Sequence, residues 1–382
     1  MIFHRNFVKD FPEAMEMRPT VMEISLGRLM ENARVLRERV PAKVKMLCVV
    51  KADAYGHGAV PFALALERAG LADAFAVAIV EEAIQLREAG VRGMILILGG
   101  ACAESLSEAV RVGASQAVYT PQALRTLEAA ACSQGVRARA HLKIDSGMSR
   151  IGVRSEQELD ALLEVWKDCP HVEMEGCFTH FCAADGDPEF TARQDAVFMR
   201  QVDRVRAAGF APVVHAAAST AMLDERYQHD MVRAGIGLYG SCMPGLETLL
   251  GHAQRLTSRP VRIETIQAGD TVGYGRTFRA QRDTVVMTVP IGYGDGYPRA
   301  LSNRADVLVR GRRARVIGRV CMDMLMADVT DVPGVGLEDE VVLMGAQGAE
   351  CITPDELAEL SGTIPYEIML GFLPRIPRKI LD

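Results

Sequence analysis

The sequence has no CxxC pair, no apolar run of about 18 residues, no low-complexity linker and no excess of positive charge. Each absence removes a class of function. Nine cysteines scattered without metal-ligand spacing argue against both a disulfide framework and a structural zinc site, so no metal is expected and the compartment reads as reducing. A formal net charge of -6 offers no counter-surface to nucleic acid or an anionic membrane, both of which demand concentrated positive charge. Small molecules are the expected partners. Without a long apolar run no membrane span is expected. The stretch MIFHRNFVKDFPEAMEMRP mixes charges throughout and lacks the apolar core of a signal peptide, so the expected location is the cytoplasm.

What is present is enough apolar residue for more than one core. With 382 residues, 49% hydrophobic and 24% charged, the chain predicts a large domain plus a smaller one. From Val44 onward, short β-branched runs alternate with amphipathic helical segments, the pattern of βα units and a parallel sheet. Eight strands are expected, at 44–50, 74–79, 94–98, 116–120, 139–145, 172–179, 212–217 and 231–236. Helices are expected between them, for example at 61–70, 81–90, 121–135 and 155–168. Eight units in succession predict a TIM (β/α)8 barrel, with a doubly wound sheet as the alternative. After residue 250 the texture changes to alternating strands without long helices, which predicts a mostly β C-terminal domain. Only 353–360 reads as helical there, with Thr353 as N-cap. The expected division is 1–17 as an extension without assigned role, 18–250 as the barrel and 251–382 as the β domain.

Catalytic groups of such barrels project from the C-terminal ends of the strands. Lys51 ends the first strand; Lys143, Asp145 and Arg150 follow the fifth. His180 follows the sixth, His215 and Ser219 the seventh, and Arg233 lies in the eighth. Nothing comparable marks strands two to four. Lys51 follows an almost wholly apolar strand, where burial lowers an amine's pKa and frees it as a nucleophile. A lysine that merely reaches water from a strand end is the alternative. The glycine-spaced YGHG after it lets other groups, such as Tyr55, approach the same ligand; His57 reads as a turn residue. Ser219, Gly235 and Ile236 offer a hydroxyl and backbone N–H groups where barrels commonly bind phosphate, with a helix N-cap as the alternative for Ser219. The glycines of GYGRTF and GYGDGYPR lack the strand–GxGxxG–helix order of a dinucleotide fingerprint.

VVKADAYGHG, LKIDSGMSRIG, FTHF, VRAGIGLYG, VGYGRTF, GYGDGYPR and GRVCMD, in this order, resemble the alanine racemases. These are pyridoxal 5'-phosphate enzymes built as homodimers of a barrel plus a β domain. The resemblance implies interconversion of L- and D-alanine, supplying D-alanine for peptidoglycan. It implies Lys51 as the covalent (Schiff-base) anchor of the cofactor. Tyr55, Ser219 and Tyr366 would contact its phosphate, with backbone groups of Gly235 and Ile236. Arg233 would face the pyridine nitrogen and His180 pack near the ring. Arg150 would neighbour the substrate carboxylate, supported by Lys143, often as a carbamate. Tyr274 and Met322 would enter from the opposite subunit, with Asp323 beside them in a supporting place. Inversion needs an acid or base on each face of Cα, and Lys51 and Tyr274 supply two. A free tyrosine titrates near about 10, so Tyr274 is expected to draw help from positive neighbours such as His180 or Arg150.

Three positions depart from the family pattern. Ala218 stands where asparagine is usual, Ser146 where threonine is usual, and Met324 where glutamine is common. They leave open a broader racemase acting on serine, lysine or arginine. A pyridoxal-phosphate decarboxylase of basic amino acids, whose acid is a cysteine such as Cys321, is the other reading.

Overall fold

A computed structural model describes residues 18–241 and 243–382. The predicted extension at 1–17 lies outside them. The chain divides into two compact units, one of residues Leu29–Gly251 and one combining the chain up to Arg28 with His252–Asp382.

The first strand, β1 (Val21–Ser25), belongs to the second unit. Eight parallel strands form the first: β2 (Lys45–Val49), β3 (Ala74–Val77), β4 (Met94–Ile97), β5 (Ser115–Val118), β6 (Ala138–Lys143), β7 (Val172–Phe178), β8 (Val213–His215) and β9 (Met231–Ala234). They pair in sequence order from β2 to β8, and β9 pairs with β2. A parallel bridge between Ala218 and Arg233 closes the ring. β3 and β5 are buried at every position, as strands covered on both faces must be. Helices cover the outside. In Ala59–Arg68 the buried residues Ala59, Phe62, Ala63 and Leu66 recur at helical spacing, and each large one contributes about 1.5–3 kcal/mol of burial. Helix ends are set locally. The Ser155 hydroxyl accepts Glu158 N–H at 3.1 Å to start Glu156–Lys167, and left-handed Gly135 ends Pro121–Gln134.

The second unit is mostly β. Its main sheet runs Arg312–Arg315, Asp306–Val309, Val341–Gln347, Gln254–Ser258, β1 and Arg378–Leu381. A three-stranded sheet (Arg262–Ile266, Thr284–Val289, Leu325–Asp328) and a small hairpin (Thr271–Val272, Phe278–Arg279) complete it. The structure corrects two expectations. Residues 18–28 group with this unit rather than the barrel, because β1 pairs antiparallel with Gln254–Ser258 and parallel with Arg378–Leu381. A second helix, Pro365–Gly371, follows the expected one at Pro354–Ser361; its seven residues are too few to show a periodicity. Thr353 caps the expected helix, accepting Glu356 N–H at 3.0 Å.

Candidate active site

Lys51 stands just after β2, at the head of a turn spanning Lys51–Gly56. Its next four residues, Ala52, Asp53, Ala54 and Tyr55, hold φ of 51°, 52°, 53° and 54°. A left-handed backbone costs an L-residue about 1–2 kcal/mol, so such a turn persists only where its surroundings enforce it. The Glu82 carboxylate accepts Ala52 N–H at 2.5 Å, and the Asp53 carboxylate accepts Ala59 N–H at 2.8 Å. Tyr55 packs on Tyr239 with ring centroids 4.6 Å apart, and the Tyr239 hydroxyl donates to Val49 O at 2.8 Å. The half-buried Lys51 amine is lowered from its usual pKa by burial and then by Arg150, against an opposing pull from Glu82. His57 is the expected turn residue, its Nδ1 donating to the carbonyls of Ala54 and Tyr55.

Arg233 is buried in β9, 3% exposed, and lines up donors rather than an ion pair. Its NH1 donates to His215 Nδ1 at 2.9 Å and His215 O at 3.1 Å. NH2 donates its two hydrogens to Ala216 O at 2.6 Å and Thr179 O at 2.8 Å and shares one of them with His180 Nδ1 at 3.2 Å. Burial pulls the guanidinium down to about 9, which leaves it cationic at neutral pH. His180 is pushed down to about 3 by burial and by Arg233, Arg150, Lys143 and Lys51. It is therefore neutral. The positive help for Tyr274 that was expected from His180 is not available, and Arg150 is the remaining candidate.

Ser219 Oγ accepts Gly235 N–H at 3.0 Å and Gly237 N–H at 3.3 Å. It thus ties two loops together and does not cap a helix of its own, since Thr220 holds that place before Ala221–Leu223. Gly235 spends its N–H on orienting this hydroxyl; Ile236 follows it, buried. A Cβ on Gly235 would lie 3.4 Å from Ser219 Oγ and 3.6 Å from the Tyr55 hydroxyl. The bare glycine therefore leaves a small space lined by two hydroxyls. That donor set suits phosphate oxygens, and with an amine of lowered pKa nearby in the chain it fits a phosphorylated aldehyde cofactor.

Arg150 sits on the loop after β6. Asp145 organises this loop, its Oδ1 accepting Gly147 and Ser149 N–H, each at 3.0 Å. Gly152 is required there, because a Cβ would come within 2.6 Å of Asp145 N at φ +126°. The Arg150 guanidinium is exposed and meets no carboxylate within 4.0 Å among the described residues. Buried Lys143 donates to Ile144 O at 2.6 Å and lies 5.2 Å from the Phe178 ring centroid. Burial, then Arg233, lower its amine to about 7.

The remaining expected residues belong to the second unit. Tyr274 tops the hairpin between left-handed Gly273 and Gly275 and is 71% exposed; Met322 is 53% exposed. Asp323 pairs with Arg375 at 2.9 Å. Tyr366 is half-buried in the first turn of Pro365–Gly371. The sequence reading assigned nothing to the ends of the second to fourth barrel strands. Glu82, after β3, corrects this, and 30 residues separate it from the Ala52 N–H that it accepts. No local signal marks it.

Comparison with known proteins agrees with this fold. Residues 24–243 match the family described as "Alanine racemase, N-terminal domain" and residues 253–380 "Alanine racemase, C-terminal domain". Alanine racemase from Citrifermentans bemidjiense is 40% identical over 380 residues, covering 96% of this chain and 99% of that protein. The one from Sorangium cellulosum is 42% identical over 376 residues, covering 95% and 99%. A solved alanine racemase structure from Bacillus anthracis with bound L-Ala-P superposes with a TM-score of 0.89 at 34% identity, covering 96% of this chain and 95% of that one. Relatives matched at this identity over both domains leave one assignment: the chain belongs to the alanine racemase family.

Proposed function

We propose that this protein is a pyridoxal 5'-phosphate-dependent racemase that interconverts L- and D-alanine, working as a homodimer with shared active sites. The observation that carries the reading is the gathering, at the C-terminal ends of the barrel strands, of a lowered lysine amine, a buried arginine and a hydroxyl-lined space at Gly235. Lys51 would hold the cofactor, with Tyr55, Ser219 and Tyr366 on its phosphate and Arg233 on its ring nitrogen. When bound, the cofactor draws electron density away from substrate Cα and so acidifies its hydrogen.

The chain's own residues then divide the work. Lys51, disfavoured as a cation by burial, takes or gives the Cα proton on one face. Tyr274 serves the other face, and its exposure at a hairpin tip supports a place in the partner's site. Arg150 offers the substrate carboxylate a two-pronged donor. Arg233 keeps its proton and has only donors to give, so it would offer the ring nitrogen a hydrogen bond without a transferable proton. That restrains electron withdrawal and favours prompt return of the proton over transamination. The decarboxylase reading is not favoured, because an arginine and not a carboxylate would face the nitrogen. Lys143, with an amine at about 7, is partly neutral at physiological pH, and the neutral amine can add carbon dioxide, releasing one proton and taking on a negative charge.

The test is incubation of L-alanine with the protein in D₂O. D-Alanine carrying deuterium at Cα is expected, whereas carbon dioxide release or protium retention would overturn the reading. Borohydride reduction and peptide mapping are expected to fix the cofactor on Lys51 alone.

A further inference from the structure

Arg233 poses a problem that the functional reading does not absorb. Buried cations are ordinarily paired with an anion, yet no carboxylate lies within 4.0 Å of this guanidinium among the described residues. Its contacts lead instead into the barrel. His215 Nε2 lies 2.9 Å from His141 Nδ1, and His141 Nε2 lies 3.2 Å from Glu175 Oε2. Ser115 also donates to Glu175 Oε2, and Arg139 flanks Oε1 at 3.7 Å. Four adjacent strands, β6 to β9, thus carry an unbroken line from a carboxylate to a guanidinium.

We propose that Glu175 and His141 are positioning residues that fix the direction of this relay and thereby aim Arg233. Proton counting leaves one arrangement. A guanidinium only donates, so His215 Nδ1 accepts and His215 carries its hydrogen on Nε2. That hydrogen is donated to His141 Nδ1, so His141 in turn carries its hydrogen on Nε2 and donates to Glu175. An imidazolium at either place would set two donors against each other. Glu175 has no hydrogen to give, so it sets the order from one end as Arg233 sets it from the other.

The backbone is built around the ring in the middle. A Cβ at residue 176 would meet His141 Nδ1 at 2.2 Å, so only glycine admits the imidazole. The pairing of β6 with β7 also slips by one residue between Ala140 and His141. Burial alone would raise the Glu175 carboxyl, yet the bonds from His141 and Ser115 outweigh it and hold the group below its usual pKa. It stays the anion that the relay requires.

The tautomer claim stands by itself; its bearing on catalysis rests on the racemase reading. Long-range ¹H–¹⁵N NMR of the full-length protein labelled at histidine tests the first, with signals assigned by single replacements. His141 and His215 are both expected as neutral Nε2–H tautomers. In Glu175→Gln, Arg233 still holds the hydrogen of both rings on Nε2, and loss of the carboxylate as acceptor is expected to move the His141 Nε2 and Nε2–H signals upfield. A hydrogen on Nδ1 of either ring in the unaltered protein, or unchanged shifts in Glu175→Gln, would overturn the proposal. Kinetics tests the second: Glu175→Gln is expected to lower kcat about tenfold with KM unchanged, as loss of an orienting partner does. If the unaltered protein racemises nothing, the functional reading fails while the NMR result still decides the relay. If kcat stays unaltered in Glu175→Gln, the relay does not position Arg233.

Discussion

Arg233 donates to His180 Nδ1 across 3.2 Å, which leaves that nitrogen without a proton. His215 accepts from the same guanidinium. Both rings are held neutral, His180 down to about 3 and His215 well below its usual value, by burial first and then by Arg233. In the unfolded chain each takes up a proton near about pH 6.5. The unfolded state therefore binds more protons below that pH, and acid favours it. Stability is expected to hold above about pH 6.5. It should then fall on acidification by up to about 1.4 kcal/mol per pH unit for each ring. Tm recorded from neutral into mildly acid buffer checks this, and a flat profile would contradict it.

Gly235→Ala strains the backbone and fills the space. The added methyl would sit 3.4 Å and 3.6 Å from the Ser219 and Tyr55 hydroxyl oxygens, at ordinary contact distance, but φ -118° with ψ -110° is a conformation that residues with a Cβ rarely adopt. Tm is expected to fall, by a strain of about 1–3 kcal/mol, while affinity for pyridoxal phosphate drops at least about tenfold through loss of the space and displaced hydrogen bonds. Fluorescence titration of the purified variant reads the second quantity.

Tyr274→Phe removes one acid or base and keeps the ring. Racemisation is expected to fall by about 10² to 10⁴ in both directions. Mixing this variant with Lys51→Ala, after subunit exchange, is expected to restore activity, because each mixed dimer holds one site with both residues intact. No recovery would mean that Tyr274 serves its own chain.

Lys143, lowered to about 7, is expected to bind carbon dioxide increasingly as pH rises through neutrality, since only the neutral amine reacts. ¹³C NMR under labelled bicarbonate should show a carbamate carbon that is absent from Lys143→Met. The same variant is expected to bind substrate more weakly, through a less well supported Arg150.

The barrel was legible because burial on both faces leaves near-continuous apolar strands, and each of the eight expected runs overlaps an observed one. The polar residues at the strand ends were legible for the converse reason: Arg233 and Lys143 are conspicuous in apolar surroundings. The turn after Lys51 was not. Ala52, Ala54 and Tyr55 have no preference for positive φ, only Asp53 tolerates it readily, and distant Glu82 helps to hold the run there. Nor was the relay: His215 stood out at its strand end, but His141 and Glu175 read singly as polar positions in strands, 34 residues apart and with a further 40 to His215. β1 was not read as a strand at all, its residues being counted with the barrel, because nothing local in Val21–Ser25 points to its distant partners.

That partner has a consequence for how the molecule is made. β1 leaves the ribosome before any barrel strand, yet its neighbours are Gln254–Ser258 and Arg378–Leu381. The barrel can close as soon as β9 emerges, whereas β1 gains Gln254–Ser258 only afterwards and keeps its other edge open until Arg378–Leu381 is synthesised. Truncation near the C-terminus should therefore leave β1 paired on one side and bare on the other, a species prone to aggregate through that edge.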